Sequence, residues 1–549
     1  MYDIIICSLS AKYPHMSLAP WCLFSAIKRD VPNCKAFVYE STINSDFNNV
    51  LEELITYNSC IYAFSCYIWN ISMVLKLCKA IKEKNPNAII LLGGPEVSYN
   101  SDEVLNNNRF VDFIISGEGE IPVCKFLSEF LGEKNYNNIP GLYFTGRVAE
   151  PFVTDIEPSS PYCEEFFERV SGRILYIETT RGCPYTCAFC LSGRCGGVRY
   201  FSLDRVFSEI IALANSGTKT IKFVDRTFNA NSERANKILS FIIENSGKTF
   251  NSDVCFHFEI AGDILRESTF EILKSAPQGL FQLEIGMQTF NEETLTYINR
   301  KTDTVKLTDN IKRLISFGNL HIHVDLIAGL PFEGIKSFEE TFLKAYFLGA
   351  DMLQLGFLKL LHGSPMREDA EKYPCEYSKL PPYEVIKTPW LSEDELNLLK
   401  KCEDALERLY NSGRFLCVLN HLVDEFNANP FRIFCQFGTF VESKLSLDDY
   451  SKTFFEWVLS KFSIETNKLR DLFVLDRLVS NPSGKLPDFL KIDCKLYKKI
   501  KKYLKENMIL TGFAILSDGK TVVFQDKKAP CKQGGRFNLI YKELSEDMF

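Results

Sequence analysis

The chain has 549 residues, 46% hydrophobic and 24% charged, the balance of an ordinary globular protein; at about 150 residues per domain this gives three or four domains. Its 63 basic and 70 acidic residues leave a net charge of −7 and a pI near 5.7, so no basic excess marks nucleic acid or an anionic membrane as a partner, and neither is expected. No apolar run approaches the roughly 18 residues that span a bilayer, and MYDIIICSLS lacks the basic start and long apolar core of a secretion signal, so a cytoplasmic protein is expected.

Residues 1–135 alternate strand and helix signals. The apolar run Asp3 to Leu9 precedes a helical stretch from Leu18 to Arg29, and SCIYAFSCY (59–67) leads into a helix through Lys82. NAIILLGGP (87–95) and VDFIISGEGE (111–120) are short apolar runs ending in glycine. Near-continuous apolar strands alternating with helices predict a doubly wound, Rossmann-like parallel sheet. Ligands of such sheets sit at the carboxyl ends of strands, which here carry Ser65, Gly93, Gly94, Gly117 and Glu118.

A polar connector with a small hairpin occupies 136–172. From 173 to 382 the alternation resumes with six strands: ILYIETT, TIKFVDRTF, VCFHFEIAGD, GLFQLEIGMQT, HIHVDLIAGLP and DMLQLGFLKLL. Six β/α units predict a partial (β/α)6 barrel with its chemistry at the C-terminal ends of the strands. Residues 383–549 turn mainly helical, with LSEDELNLLKKCEDALERLY (391–410) an amphipathic core helix and ILSDGKTVVF (515–524) a hairpin. Tyr383 is expected to anchor a loop. The basic stretch KIDCKLYKKIKKYLKEN (491–507) reads as a solvated helical face, with docking to an acidic or nucleic-acid partner as the alternative.

Most of the 19 cysteines are scattered, as Cys60, Cys78, Cys124 and Cys255 are, and behave as small hydrophobes. ETTRGCPYTCAFCLSGRC is different. Cys183, Cys187 and Cys190 stand in C-x-x-x-C-x-x-C spacing just past the first barrel strand. Three thiolates on one tight loop suit zinc or an iron–sulfur cluster. Buried structural thiols, or a closed zinc site completed by Cys195, are the alternatives. Cys375, Cys402, Cys417, Cys435, Cys494 and Cys531 are too dispersed for a second cluster.

With Phe189 just before its last cysteine, this loop resembles the cluster loop of the radical S-adenosylmethionine superfamily. Later strand ends are similar too. KFVDRTF (222–228), carrying Asp225 and Arg226, lies where the family contacts the methionine moiety. HFEIAGD (257–263) supplies Glu259; GMQTFNEETLTYINRKT (286–302) supplies Gln288 and Arg300; DLIAGLP (325–331) supplies Asp325. The resemblance implies that Cys183, Cys187 and Cys190 hold a 4Fe–4S cluster. Its open iron would chelate S-adenosylmethionine, and an electron from a reduced donor such as a flavodoxin or ferredoxin would give a 5′-deoxyadenosyl radical. The strand-end residues would bind the cofactor, with Arg300 suited to a carboxylate.

The acidic, glycine-punctuated sheet ahead of this barrel resembles the cobalamin-binding class of the superfamily. GGPEVS (93–98) and SGEGE (116–120) look like its cofactor-cradling turns, where glycine would let the backbone approach a corrinoid. A D-x-H-x-x-G motif is absent and His15 stands in no such context, so cobalt would carry no histidine from below. VRYFSLDRV (198–206), FVDRTFNAN (223–231) and LQLGFLKLLHGSPMREDAEKY (353–373) resemble an uncharacterised subgroup with a C-terminal extension. The implied activity is methyl transfer to an unactivated centre of an unidentified substrate. A radical rearrangement or cyclisation without methylation, and a non-catalytic cobalamin or cluster sensor, are the alternatives.

Overall fold

The structure is a computed structural model that describes residues 2–442, 444–492, 494–509, 511–527 and 536–543. Cys531 lies outside the described residues, as does the side chain of Cys195. The chain is mixed α/β and forms two compact units. The first comprises Met1–Leu283, Glu293–Asp303 and Phe357–Pro389; the second comprises Glu284–Glu292, Thr304–Gly356 and Trp390–Phe549.

The first unit opens with six strands: β1 Ile4–Ser10, β2 Ala36–Thr42, β3 Ile61–Ser65, β4 Ile89–Gly93, β5 Phe113–Ile115 and β6 Leu142–Tyr143. Their order is β2-β1-β3-β4-β5-β6, parallel except for β6. Strand β1 is buried along its whole length, which is why its sequence is an unbroken apolar run. The order reverses between β1 and β3, so the crevice beyond their carboxyl ends is the switch point where doubly wound sheets take ligands, and Ser65 stands at its edge. Strand β2 and the helix Phe47–Thr56 are not evident in the sequence. Only Val38 and Tyr39 of β2 are buried, and such an edge strand carries little periodic signal.

The second sheet begins with β7 Leu175–Ile177. A small antiparallel pair, β8 Thr180–Arg181 and β9 Arg199–Tyr200, brackets the cysteine loop. Strands β10 Thr220–Phe223, β11 Cys255–Ile260 and β12 Phe281–Gln288 follow, and in the first unit the order is β7-β10-β11-β12. The second unit holds the end of β12 with β13 His321–Ala328 and β14 Met352–Phe357, in the order β12-β13-β14. All six strands fall within the six segments expected from the sequence.

The short antiparallel pair β15 Glu376–Tyr377 with β16 Val385–Lys387 belongs to the first unit, and from Trp390 onward the second unit is mainly helical. The helix Glu393–Leu406 starts at a capping box in which Ser392 and Glu395 each satisfy the other's backbone N–H, and it buries Leu396, Leu399 and Cys402. An aromatic core of Phe415, Phe437, Tyr450, Phe454, Trp457 and Phe473 joins the helices that follow. The chain then forms β17 Phe513–Ile515 and β18 Thr521–Asp526, the expected hairpin, with β19 Asn538–Glu543 added on its far side.

Tyr383 does more than anchor a loop. It is 5% exposed and its hydroxyl donates to Glu96, itself 5% exposed, in the turn after Gly93 and Gly94. Burial raises the Glu96 carboxyl above its usual range, and the phenol works against that rise. Removing the hydroxyl strands a buried carboxylate at a cost of about 1–3 kcal/mol. Tyr383→Phe is therefore expected to lower the melting temperature at pH 7, and an unchanged melt would show that Glu96 finds another donor.

Candidate active site: the cysteine loop and the strand ends

The loop from Gly182 to Cys190 is fixed by backbone contacts rather than by packing alone. The Ala188 N–H donates to Ile298 O at 2.8 Å, and the Met366 N–H donates to Ala188 O at 3.0 Å. The Asn299 amide donates to Thr186 O at 3.1 Å and to Thr186 Oγ1 at 2.6 Å. Chain segments remote in sequence thereby hold the middle of the loop in one shape.

All three thiols are free. Cys187 is buried, while Cys183 and Cys190 are half-buried. Cys183 Sγ lies 3.4 Å from Thr227 Oγ1, and Cys190 Sγ accepts the Ser192 N–H at 3.4 Å. Burial pushes the Cys187 thiol up; Arg300 opposes this, donating from Nη1 to its sulfur at 3.8 Å, and the other two thiols add to the rise. Three soft sulfur donors on one loop, with a cation beside the most buried, fit a thiolate-ligated metal centre. Arg300 therefore stands at the sulfur of Cys187, a placement the sequence did not indicate.

Asp225, expected as a cofactor contact, is held by the chain's own backbone. It is fully buried, and its carboxylate accepts the Thr179 N–H at 2.7 Å, the Thr180 N–H at 3.0 Å and the Thr179 hydroxyl. Burial raises it to about 6 while these donors pull it down. Its role is to pin the turn between β7 and β8, from which the cysteine loop springs. Arg226 and Glu259, also expected to contact the cofactor, lie 3.8 Å apart with side chains 56% and 37% exposed. Sequence reasoning missed Asn229, whose amide donates to Ala261 O at 2.8 Å and accepts its N–H at 2.9 Å, tying the turn after β10 to the end of β11.

Glu118, another expected cofactor contact, lies in an ion-pair network. Its carboxylate pairs with Arg181 at 3.2 Å and with Arg199. Arg181 in turn meets Glu120 at 2.6 Å and Glu178 at 3.0 Å, all with side chains at most 21% exposed. Burial works against the Glu120 charge, but Arg181 outweighs it and holds this carboxyl below its usual range; Glu178, with burial dominant, lies above. Glu118 and Glu120, from the turn after β5, thus clamp the residue that opens the cysteine loop.

Two of the glycines expected to cradle a corrinoid pass close to the chain's own backbone. A Cβ on Gly94 (φ +109°) would lie 2.5 Å from Cys66 O, and one on Gly117 (φ +88°) 2.2 Å from Phe152 O. Both positions require glycine because the protein's own backbone passes there. Gly93 has only an ordinary contact, 3.5 Å from Ile115 O. Ser65 donates to Cys7 O at 3.4 Å, and Phe189 is half-buried at the loop's end.

In the second unit, Gln288 ends β12 with φ +70°, a conformation that a side chain other than glycine adopts only under constraint. The constraint is visible in its neighbours. Thr289 donates to Glu333, Thr341 donates to the same oxygen at 3.1 Å, and the Asn291 amide donates to Phe332 O at 2.9 Å. His323 Nε2 lies 3.0 Å from Asp325 Oδ1, and His323 Nδ1 lies 3.9 Å from Glu284. Burial raises Asp325, with His323 opposing.

Glu333 is completely buried, and burial pushes it up to about 7 despite the two threonine hydroxyls. Its folded value exceeds the usual 4.5, so the folded state binds the proton more tightly and stability falls as pH rises from about 4.5 through 7. Glu333→Gln keeps an acceptor for both hydroxyls without the charge. The variant is expected to match the parent at pH 4.5 and to exceed it by roughly 3 kcal/mol at pH 8, read from denaturant curves at the two pH values. A parent whose stability rises over that interval would contradict the assignment.

Comparison with known proteins follows this geometry. Residues 23–127 match the B12 binding domain, residues 177–345 the Radical SAM superfamily, and residues 371–522 a protein family of unknown function (DUF4080). The chain is a radical SAM superfamily protein with an N-terminal B12-binding domain and a C-terminal domain of that third family. It is 27% identical over 315 residues to a 2-(S-pantetheinyl)-carbapenam-3-carboxylate methyltransferase of Streptantibioticus cattleyicolor, and 27% identical over 301 residues to the cobalamin-dependent radical SAM methyltransferase TokK of Streptomyces tokunonensis. Each match covers 51% of this chain and 44% of the relative, so the chain aligns with less than half the length of either. The fold resembles that of OxsB with aqua-cobalamin and S-adenosylmethionine bound, at TM-score 0.62 and 13% identity over 93% of this chain and 84% of that one. It also resembles TsrM from Kitasatospora setae with cobalamin and a [4Fe-4S] cluster bound, at TM-score 0.56 and 17% identity over 67% and 76%.

Proposed function

We propose that this chain is a cobalamin-dependent radical SAM enzyme that transfers a methyl group to an unactivated centre of its substrate. The observation that carries this reading is the presence of three free thiols on one backbone-pinned loop, with Arg300 beside Cys187. Bound there, a 4Fe–4S cluster would supply the electron that breaks the sulfonium C–S bond of S-adenosylmethionine, and cobalamin at the first sheet would supply the methyl group.

The chain's own residues do the positioning. Cys183, Cys187 and Cys190 offer three ligands, and Arg300 favours the thiolate of the most buried one. Arg226 and Glu259 present opposite charges on the open side, suited to the carboxylate and hydroxyls of S-adenosylmethionine. Gln288 and Asp325 are further cofactor contacts in this reading. Ser65, Gly93 and Gly94, at the carboxyl ends of β3 and β4, would face the corrinoid. The domain boundaries proposed are 1–135, 136–172, 173–382 and 383–549.

No helix among the described residues is long and apolar enough to cross a membrane. A reducing cytoplasm, with a flavodoxin or ferredoxin as electron donor, completes the proposal. The test is product analysis of anaerobic, reduced, cobalamin-loaded protein given S-adenosylmethionine. Release of S-adenosylhomocysteine beside 5′-deoxyadenosine is expected. 5′-Deoxyadenosine alone would move the reading to radical rearrangement without methyl transfer.

A further inference from the structure

Three strands of the second sheet set Tyr176 (β7), Lys222 (β10) and His257 (β11) side by side, Lys222 being the register partner of Tyr176 on one side and of His257 on the other. Their neighbours along the strands, Leu175, Ile177, Ile221, Phe223, Phe256 and Phe258, point the opposite way and are at most 2% exposed. Tyr176, Lys222 and His257 therefore share the face that also carries Glu259, two residues further along β11. The loop after β1 reaches the same place. The Ile174 N–H donates to Pro14 O at 2.7 Å, the Met16 N–H donates to Ile174 O at 3.3 Å, and His15 Nδ1 lies 2.6 Å from the Tyr176 hydroxyl. Burial, then Lys222 and Lys12, hold His15 below its usual range, which leaves the ring neutral at pH 7.

Lys222 is half-buried, and among the described residues no hydrogen bond or ion pair engages its ammonium group. Its charge is felt by His15 and by Cys255, whose thiol burial raises to about 11 against the pull of Lys222. The carboxylate on this face, Glu259, lies instead 3.8 Å from Arg226. A lysine that only snorkels lays its stem on apolar side chains and ends in water. This one stands between a phenol and an imidazole. An ammonium group drawn out of water without a counter-charge is unfavourable, and an incoming anion relieves it. We infer that Lys222, with Tyr176 beside it, binds an anionic group of the substrate on this face of the sheet. Lysine acts as a point charge that takes a carboxylate or a phosphate alike, so the class named is an anionic substrate. A neutral His15 that donates from Nδ1 leaves the phenol proton of Tyr176 free to reach the same anion. Glu259 lies two residues, roughly 7 Å of strand, closer to the carboxyl ends. A substrate held by its anion at Lys222 would therefore present its remaining part toward the cofactor end. The inference rests on the methyl-transfer reading only in placing a substrate beside the cofactors, and it names that substrate's chemical class.

The test is isothermal titration calorimetry of the full-length, anaerobically reconstituted protein at pH 7 with inorganic phosphate and, separately, with acetate. Saturable binding of at least one of the two, one per chain, is expected, and the tighter one tells a phosphate ester from a carboxylate. Lys222→Met should weaken it about tenfold or more and Tyr176→Phe by a few-fold, whereas Lys222→Arg keeps the charge and should retain it. Lys219→Met is the control: Lys219 is 67% exposed and paired with Asp253, so binding should stay as in the parent. Saturating S-adenosylhomocysteine should leave the anion bound. No saturable binding of either anion, or equal binding by Lys222→Met, would overturn the inference. Displacement by S-adenosylhomocysteine would also overturn it, by giving Lys222 to the carboxylate of the cofactor. The titration involves no turnover, so its outcome is independent of the product analysis that tests methyl transfer.

Discussion

Cys187→Ala is expected to reduce 5′-deoxyadenosine release from anaerobic, reduced protein to background, together with loss of bound iron. The side chain offers one of three sulfurs on a loop whose backbone is set by Ile298, Asn299 and Met366, so removing it leaves the loop's shape intact and its ligand set incomplete. Truncating a buried cysteine to alanine removes only a small side chain, so the fold should survive, which circular dichroism checks. Cys78→Ala is the matched control: Cys78 is fully buried in the core of the first sheet, and its loss should leave iron content and product release unchanged. Full product release from Cys187→Ala would remove the thiol from the site.

Arg181→Met has the second large effect, and it falls on stability first. Glu118, Glu120 and Glu178 all face this guanidinium, and removing it leaves carboxylates in a site where they are at most 21% exposed. Stranding a buried charge costs about 3–5 kcal/mol, so the melting temperature should fall by roughly 6 °C or more. Cluster retention should fall with it, because Arg181 lies two residues before Cys183. Adding Glu120→Gln and Glu178→Gln to the same chain removes most of the stranded charge and should recover part of the loss. A melt unchanged by Arg181→Met would mean that water already solvates these carboxylates.

Much of the architecture was legible because burial writes itself into sequence. Strands β1, β3 and β4 are covered on both faces and read as apolar runs; the half-exposed edge strand β2 does not. The cysteine loop was legible for a different reason, since ligand spacing on one short loop is a local property. What the sequence hid were partnerships formed across long separations. Asp225 with Thr179, Arg181 with Glu118 and Glu120, and Glu333 with Thr289 join residues 44 to 63 positions apart. Asp225 and Glu118, read from the sequence as cofactor contacts, thus have structural partners that the sequence does not show. Gly94 and Gly117 were singled out correctly as positions that need glycine, but only the folded chain shows that Cys66 and Phe152, in its own backbone, impose the need.

The most direct test of the central claim is anaerobic reconstitution of the full chain with iron, sulfide and hydroxocobalamin, followed by desalting, a visible spectrum and metal analysis. About four irons and one cobalt retained per chain is the predicted result. Iron without cobalt would contradict the role given to the first sheet, and protein that keeps neither would contradict the reading of the cysteine loop.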